Sequence, residues 1–133
     1  MSKDIIKRVV VESPYGGTDE QVKQNIKYAR SCVRDCLNRG EVPFASHLLY
    51  TQPGILNDNV PSERKLGIEA GFELTNDFDL VAIYTDLGLT HGMVKGLKAR
   101  KELGKTIEER TLGKDWEEKY DQRIIKHSHK DLF

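Results

Sequence analysis

The order of apolar patterns along the chain predicts an α/β domain built on a doubly wound parallel sheet. Two short apolar runs, Val9-Val10-Val11 and Asp79 to Thr85 (DLVAIYT), read as strands, the second of them buried on both faces. Between and after them lie stretches with apolar residues at three- and four-residue steps, the spacing of helices. Both strands empty into loops of small and polar residues before the next helix opens. In this class crossovers are right-handed and ligands bind over the carboxyl ends of the strands.

The chain is organised around Arg8 to Gly17, RVVVESPYGG. Its strand stops at Ser13-Pro14-Tyr15-Gly16-Gly17, and Thr18-Asp19-Glu20-Gln21 opens a long helix. Such a corner gathers free N–H groups and the positive end of a helix dipole, which favours a phosphate or carboxylate. An ordinary strand–turn–helix joint is the alternative. Met1 to Lys7 is a polar lead-in that could extend the strand. The helix is expected over Asp19 to Arg39, with Thr18 as N-cap, Gln21 completing a capping box and Gly40 as the stop. Val22, Ile26, Ala29, Cys32, Val33 and Cys36 form its inward stripe.

A short strand, Glu41 to Phe44, comes next, and Pro43 suits an edge or strand end. The connection Ala45 to Val60 is long, and its Leu48, Leu49, Ile55 and Leu56 indicate a packed, functional excursion. Pro61-Ser62-Glu63 starts a helix to about Asn76, with Leu66, Ala70 and Leu74 in its stripe. After Asp79 to Thr85 the loop Asp86 to Gly92 leads to a helix over Met93 to Leu103, closed by Gly104. Thr106 to Leu112 reads as the last strand. The tail, Gly113 to Phe133, starts helical, with Trp116, Tyr120, Ile124 and Ile125 at helical spacing. His127 and His129, two apart, would point to different faces, so the tail is read as a docking arm or dimer contact and not as a metal site.

The totals narrow the function. Twenty-one Lys and Arg balance twenty-one Asp and Glu, so no net field draws in nucleic acid or a membrane surface. Near-neutrality favours self-association. Cys32 and Cys36, four apart on one helix, are expected as reduced packed thiols of a cytoplasmic protein. No run is long enough to span a membrane, and the charged start MSKDIIKR lacks a signal-peptide core.

Several motifs, taken together, resemble the nucleoside 2-deoxyribosyltransferase-like superfamily, which includes deoxynucleoside 5′-monophosphate N-glycosidases. They are V-x-S-P-Y-x-G after the first strand, Gly40, Pro43 and His47, then Arg64, Gly67 and Ile68, the strand from Asp79, and Thr90, Gly92 and Met93. The likeness runs from about Arg8 to Gly113 and is closest to short bacterial and phage members. It implies a three-layer flavodoxin/Rossmann-like domain over residues 1–113 with a C-terminal helical tail over 114–133. It also implies a homodimer or larger homo-oligomer, and a nucleoside or nucleotide at the carboxyl edge; no cofactor and no metal are expected.

In active members a Glu on the last core helix attacks the anomeric carbon, because the oxocarbenium-like sugar needs an anion beside it. The matching position here is Gly96, and a second family carboxylate falls at Gly71. Substitutes for the missing acid are sought in Glu12 and Asp86, with Tyr15 orienting the sugar. Phosphate donors are sought in Ser13, Gly16, Gly17, Thr90 and Gly92, with His47 and His91 as donors or acids. Arg64 is either a phosphate or ribose clamp or a partner of Glu63 or Glu69. Lys95, Lys98, Arg100, Lys101 and Lys105 read as an exposed positive face. The expected function is nucleotide binding without the usual nucleophile. N-glycosidic cleavage or deoxyribosyl transfer in an altered site, and a ligand-free interaction protein, are the alternatives.

Overall fold

The computed structural model describes residues 6–120. Four strands, β1 (Arg8–Glu12), β2 (Val42–Phe44), β3 (Leu80–Tyr84) and β4 (Ile107–Arg110), form one sheet in the order β2-β1-β3-β4. Every pairing is parallel, with Val10 opposite Phe44 and Val81, and Val81 opposite Ile107. The helices are α1 (Asp19–Asn38), α2 (Pro61–Leu74), α3 (His91–Glu102) and α4 (Trp116–Tyr120), with a short 3₁₀ turn at Ser46–Leu48. The doubly wound α/β class is thus as expected.

Alternation along the strands assigns two faces. Val9, Val11, Leu80, Ala82 and Tyr84 point to one, where they pack on Tyr28, Cys32 and Cys36 of α1 and on Trp116 and Tyr120 of α4. Val10 and Glu12 point to the other, beneath α2 and α3. Thr18 and Gln21 form the expected capping box on α1. Cys32 and Cys36 are free and fully buried, and burial pushes the Cys36 thiol up to about 11 and Cys32 higher still. Among the described residues no helix is long and apolar enough to cross a membrane.

A clamp closes the α1 side. Asp86 accepts from the Tyr28 hydroxyl at 2.5 Å and from the amides of Leu112 and Gly113 at 2.8 and 3.0 Å. It therefore ties the end of β3 to the chain that leads into α4. Lower on this face Arg110 is held bidentately by Glu41, at 2.8 and 2.7 Å.

Three expectations need correction. The α2 stripe does not face inward: Leu66 and Leu74 are 58% and 47% exposed, and Gly71 is the helix's buried residue. Arg100 leaves its positive run and is buried at 5% exposure. The α3 helix begins two residues earlier than Met93, because Thr90 caps it by accepting from the Met93 amide at 3.2 Å. Met1 to Ile5 of the lead-in, and Ile124, Ile125, His127 and His129 of the tail, lie outside the described residues.

Candidate functional site

Three corners at the carboxyl edge meet over one cavity of about 640 Å³. Tyr15 and Gly16 follow β1, Ser46 and His47 follow β2, and Thr90, His91 and Gly92 follow β3. The volume lies within the usual range of small-molecule sites, roughly 300–1,000 Å³. The space exists because the facing helices lack side chains there. Gly67 and Gly71 on α2, and Gly92 and Gly96 on α3, stand one turn apart in pairs, and all four line the cavity. A Cβ built on Gly96 would meet nothing within 4 Å.

One end of the cavity suits an anion. The first turn of α3 carries no acidic residue, so no side-chain charge offsets the positive end of its dipole, although Thr90 takes the Met93 amide. Arg64 reaches over from α2, with Nη2 only 3.3 Å from where a Cβ on Gly92 would stand. The salt bridges expected of Arg64 are made instead by its neighbour, since Lys65 pairs with Glu69 and Glu63 accepts from the Asn57 amide. The first corner is the poorer candidate. Asp19 and Glu20 occupy the first turn of α1, and Gln21 takes the Thr18 amide. Gly17 lines a separate groove between that corner and the 51–59 loop. The anion preference read from RVVVESPYGG therefore belongs to the corner after β3.

At the mouth, the Tyr15 and His47 rings stack at 4.8 Å and 13°. The Asn25 amide accepts no part in the cavity but fixes the Tyr15 corner, donating to its carbonyl at 2.8 Å. His47 Nδ1 is buried without a partner in the protein. Burial, aided by the Arg64 charge and opposed by Asp58, holds this imidazole below its ordinary pKa, so it is neutral at pH 7. Asp58 lines the cavity between these groups.

The floor is a buried ion pair. Arg100 Nε stands 3.4 Å from Glu12 Oε1, with side chains 6% and 18% exposed. Arg100 is fixed further by the Phe72 ring, 4.2 Å below its guanidinium carbon, and by donating to Thr75 Oγ1 at 3.2 Å. Desolvation raises the Glu12 pKa, and Arg100 opposes that rise.

Of the residues singled out in the sequence, Glu12, Tyr15, Gly16, His47, Arg64, Thr90, His91 and Gly92 line this cavity. Ser13, Gly17 and Asp86 do not. Ser13 is 1% exposed and faces the interior. Asp86 is spent on its clamp, where the Tyr28 and backbone donors hold it below the usual carboxylate range despite partial burial. With its oxygens taken there and no place in the cavity lining, Asp86 is not positioned as a substitute acid for this cavity. Asp58, Phe72 and Arg100 were not anticipated. Asp58 lay in a loop with no period to read, and Arg100 was one cation among five. Among the described residues no group of three or more His, Cys, Asp or Glu side chains could hold a metal ion.

Comparison with known proteins agrees with the fold. The chain is similar in structure to the 2-deoxyribosyltransferase from the psychrotolerant bacterium Bacillus psychrosaccharolyticus, with a TM-score of 0.56 and 17% identity over 94% of this chain and 95% of that one. At that identity the likeness is one of fold. No curated protein matches the chain significantly. A family model described as a domain of unknown function matches residues 7–110, which spans all four strands and the whole cavity. The chain therefore belongs to the DUF7768 family, a domain of unknown function carried on a deoxyribosyltransferase-like α/β fold.

Proposed function

We propose that the cavity binds a nucleoside 5′-phosphate and that the chain does not cleave it by the nucleophilic route its fold relatives suggest. The observation that carries this reading is the acid-free N-terminus of α3, set beside Arg64 at one end of a cavity with a stacked aromatic pair at its mouth. Phosphate matches the acid-free N-terminus of a helix and a guanidinium. A flat base matches the rings of Tyr15 and His47. Where the resemblance calls for a nucleophilic Glu stands Gly96, with open space at its Cβ. Loss of such a group removes the main stabiliser of a sugar cation.

A second reading, N-glycosidic cleavage, is favoured by one observation: Glu12 places a carboxylate on the cavity floor. A thermal-shift screen of nucleosides, nucleoside monophosphates, cyclic nucleotides and NAD, followed by chromatography of each hit, separates the two. Ligand recovered intact supports binding, and released free base supports cleavage. Absence of any shift, with no ligand retained on gel filtration, refutes both and leaves the interaction protein. The exposed Leu66, Leu74, Val94 and Leu103 on α2, α3 and just beyond support self-association, which sedimentation velocity tests directly.

A further inference from the structure

We propose that Glu12 receives the vicinal 2′,3′-hydroxyl pair of a ribose, making the ligand a ribonucleotide and not a deoxyribonucleotide; this rests on the nucleotide reading above. Glu12 ends β1 and turns into the cavity on the side opposite the main core. Arg100 is the group that meets its carboxylate, with Nε 3.4 Å from Oε1, a contact that is long for a hydrogen bond and leaves Nε without a well-formed one. A carboxylate offers about four acceptor positions, so Glu12 has capacity left, and it is directed at the ligand space.

The charge of Glu12 is already balanced. Arg100 cannot swing away to meet a ligand phosphate, because Phe72 lies under its guanidinium and Thr75 takes Nη1. Thr75 is fixed in turn by its own bond to the Gly71 carbonyl at 2.7 Å. A cation over Glu12 would face Arg100, and an anion would face Glu12. The group that fits a neutralised carboxylate with open acceptor positions is a neutral donor, and a pair of adjacent hydroxyls fills both oxygens at once. The wall opposite is bare enough to admit them, since α3 offers Gly92, Gly96 and Ala99 to the cavity. Paired N–H groups of a base are the competing neutral donors.

The wild-type chain decides between them by calorimetry with four ligand pairs. These are adenosine 5′-monophosphate against its 2′-deoxy, 3′-deoxy and arabino forms, and guanosine against inosine 5′-monophosphate. The expected result is a loss of roughly 10- to 100-fold for each of the three altered sugars, the size of a hydrogen bond to a charged group. Guanosine and inosine forms should bind alike. In Glu12→Gln, which keeps the shape, the ribo preference should shrink to a few-fold. Equal binding of ribo and deoxy forms overturns the proposal and leaves nucleotide binding standing, as does an arabino form that binds as well as ribo. A preference for guanosine over inosine with indifference to the sugar also overturns it, in favour of base N–H groups. If no nucleotide of either series binds, this proposal and the nucleotide reading fall together. If Glu12→Gln does not fold, the sugar series on the wild type still decides.

Discussion

Replacing Gly96 by alanine should make the protein more stable and its ligand binding weaker, a pairing that few interior substitutions give. Gly96 sits in the middle of α3, and its backbone is not in the left-handed region. Glycine there costs about 0.5–1 kcal/mol relative to alanine through the extra freedom of the unfolded chain. A Cβ at this position meets nothing within 4 Å, so no steric term offsets the gain. For a domain of this size the melting temperature should rise by about 2–6 °C. The same methyl projects into the ligand space, and leucine at the same position would fill far more of it.

The neighbouring glycines calibrate the argument. Gly71→Ala should gain nearly as much, because its Cβ meets only Ser46 Cβ at 3.8 Å. Gly67→Ala should gain little, since Leu56 Cδ1 stands at 3.0 Å and must move. The assay is differential scanning calorimetry of the three alanine variants beside ligand titration of Gly96→Ala and Gly96→Leu. A Gly96→Ala that melts below the wild type, or a Gly96→Leu that binds the proposed nucleotide as well as the wild type does, refutes the view that these glycines keep a functional space open.

Other outcomes follow from the same contacts. Asp86→Ala should destabilise by about 2–4 kcal/mol, since three donors, one of them a buried tyrosine hydroxyl, lose a charged acceptor; urea denaturation measures it, and a change below 0.5 kcal/mol (about the spread of neutral surface substitutions) contradicts the clamp. Stability should fall in two steps on acidification. His47 is held below its ordinary 6.5, so the unfolded chain takes up the proton first and stability declines as pH drops through that value; Asp86 and Glu41 are held below the carboxylate range and add a second loss below about pH 4. His47→Gln should abolish the first step and leave the second. Arg64→Ala should weaken nucleoside monophosphates far more than the matching nucleosides, read by titration at low and high salt. Cys32 and Cys36 should resist a thiol reagent at pH 8 in the folded chain and react at once in denaturant.

The parts of this fold that could be read in advance are those decided by neighbours in the chain. The apolar runs of β1 and β3, the Thr18 cap and the glycine stop at Gly40 are local chemistry, and each appears where expected. That three corners share one edge follows from parallel strands and right-handed crossovers, which bring Tyr15, His47 and Thr90 together. What escaped was set by partners distant in sequence. Arg100 is buried because Glu12, Phe72 and Thr75 meet it from three other segments, and nothing in a lysine-rich run marks that. The inward face of α2 was mistaken because its lining is Gly67 and Gly71, while a search for apolar residues selects Leu66 and Leu74. Empty space has no hydropathy. Asp86 was misassigned for a related reason, as its tyrosine and amide donors come from α1 and from beyond β4.

The Asp86 tether reaches beyond the strength of the fold. The segment from β3 to α3 is only a few residues long, and it is pinned at its start by Asp86 and at its end by the Thr90 cap. With both ends fastened, the amides that face the cavity stand in place before any guest arrives. Little ordering entropy is then left to lose on association. A complex should form without detectable rearrangement of this corner, and loosening residue 86, which does not itself line the cavity, should let the guest escape sooner.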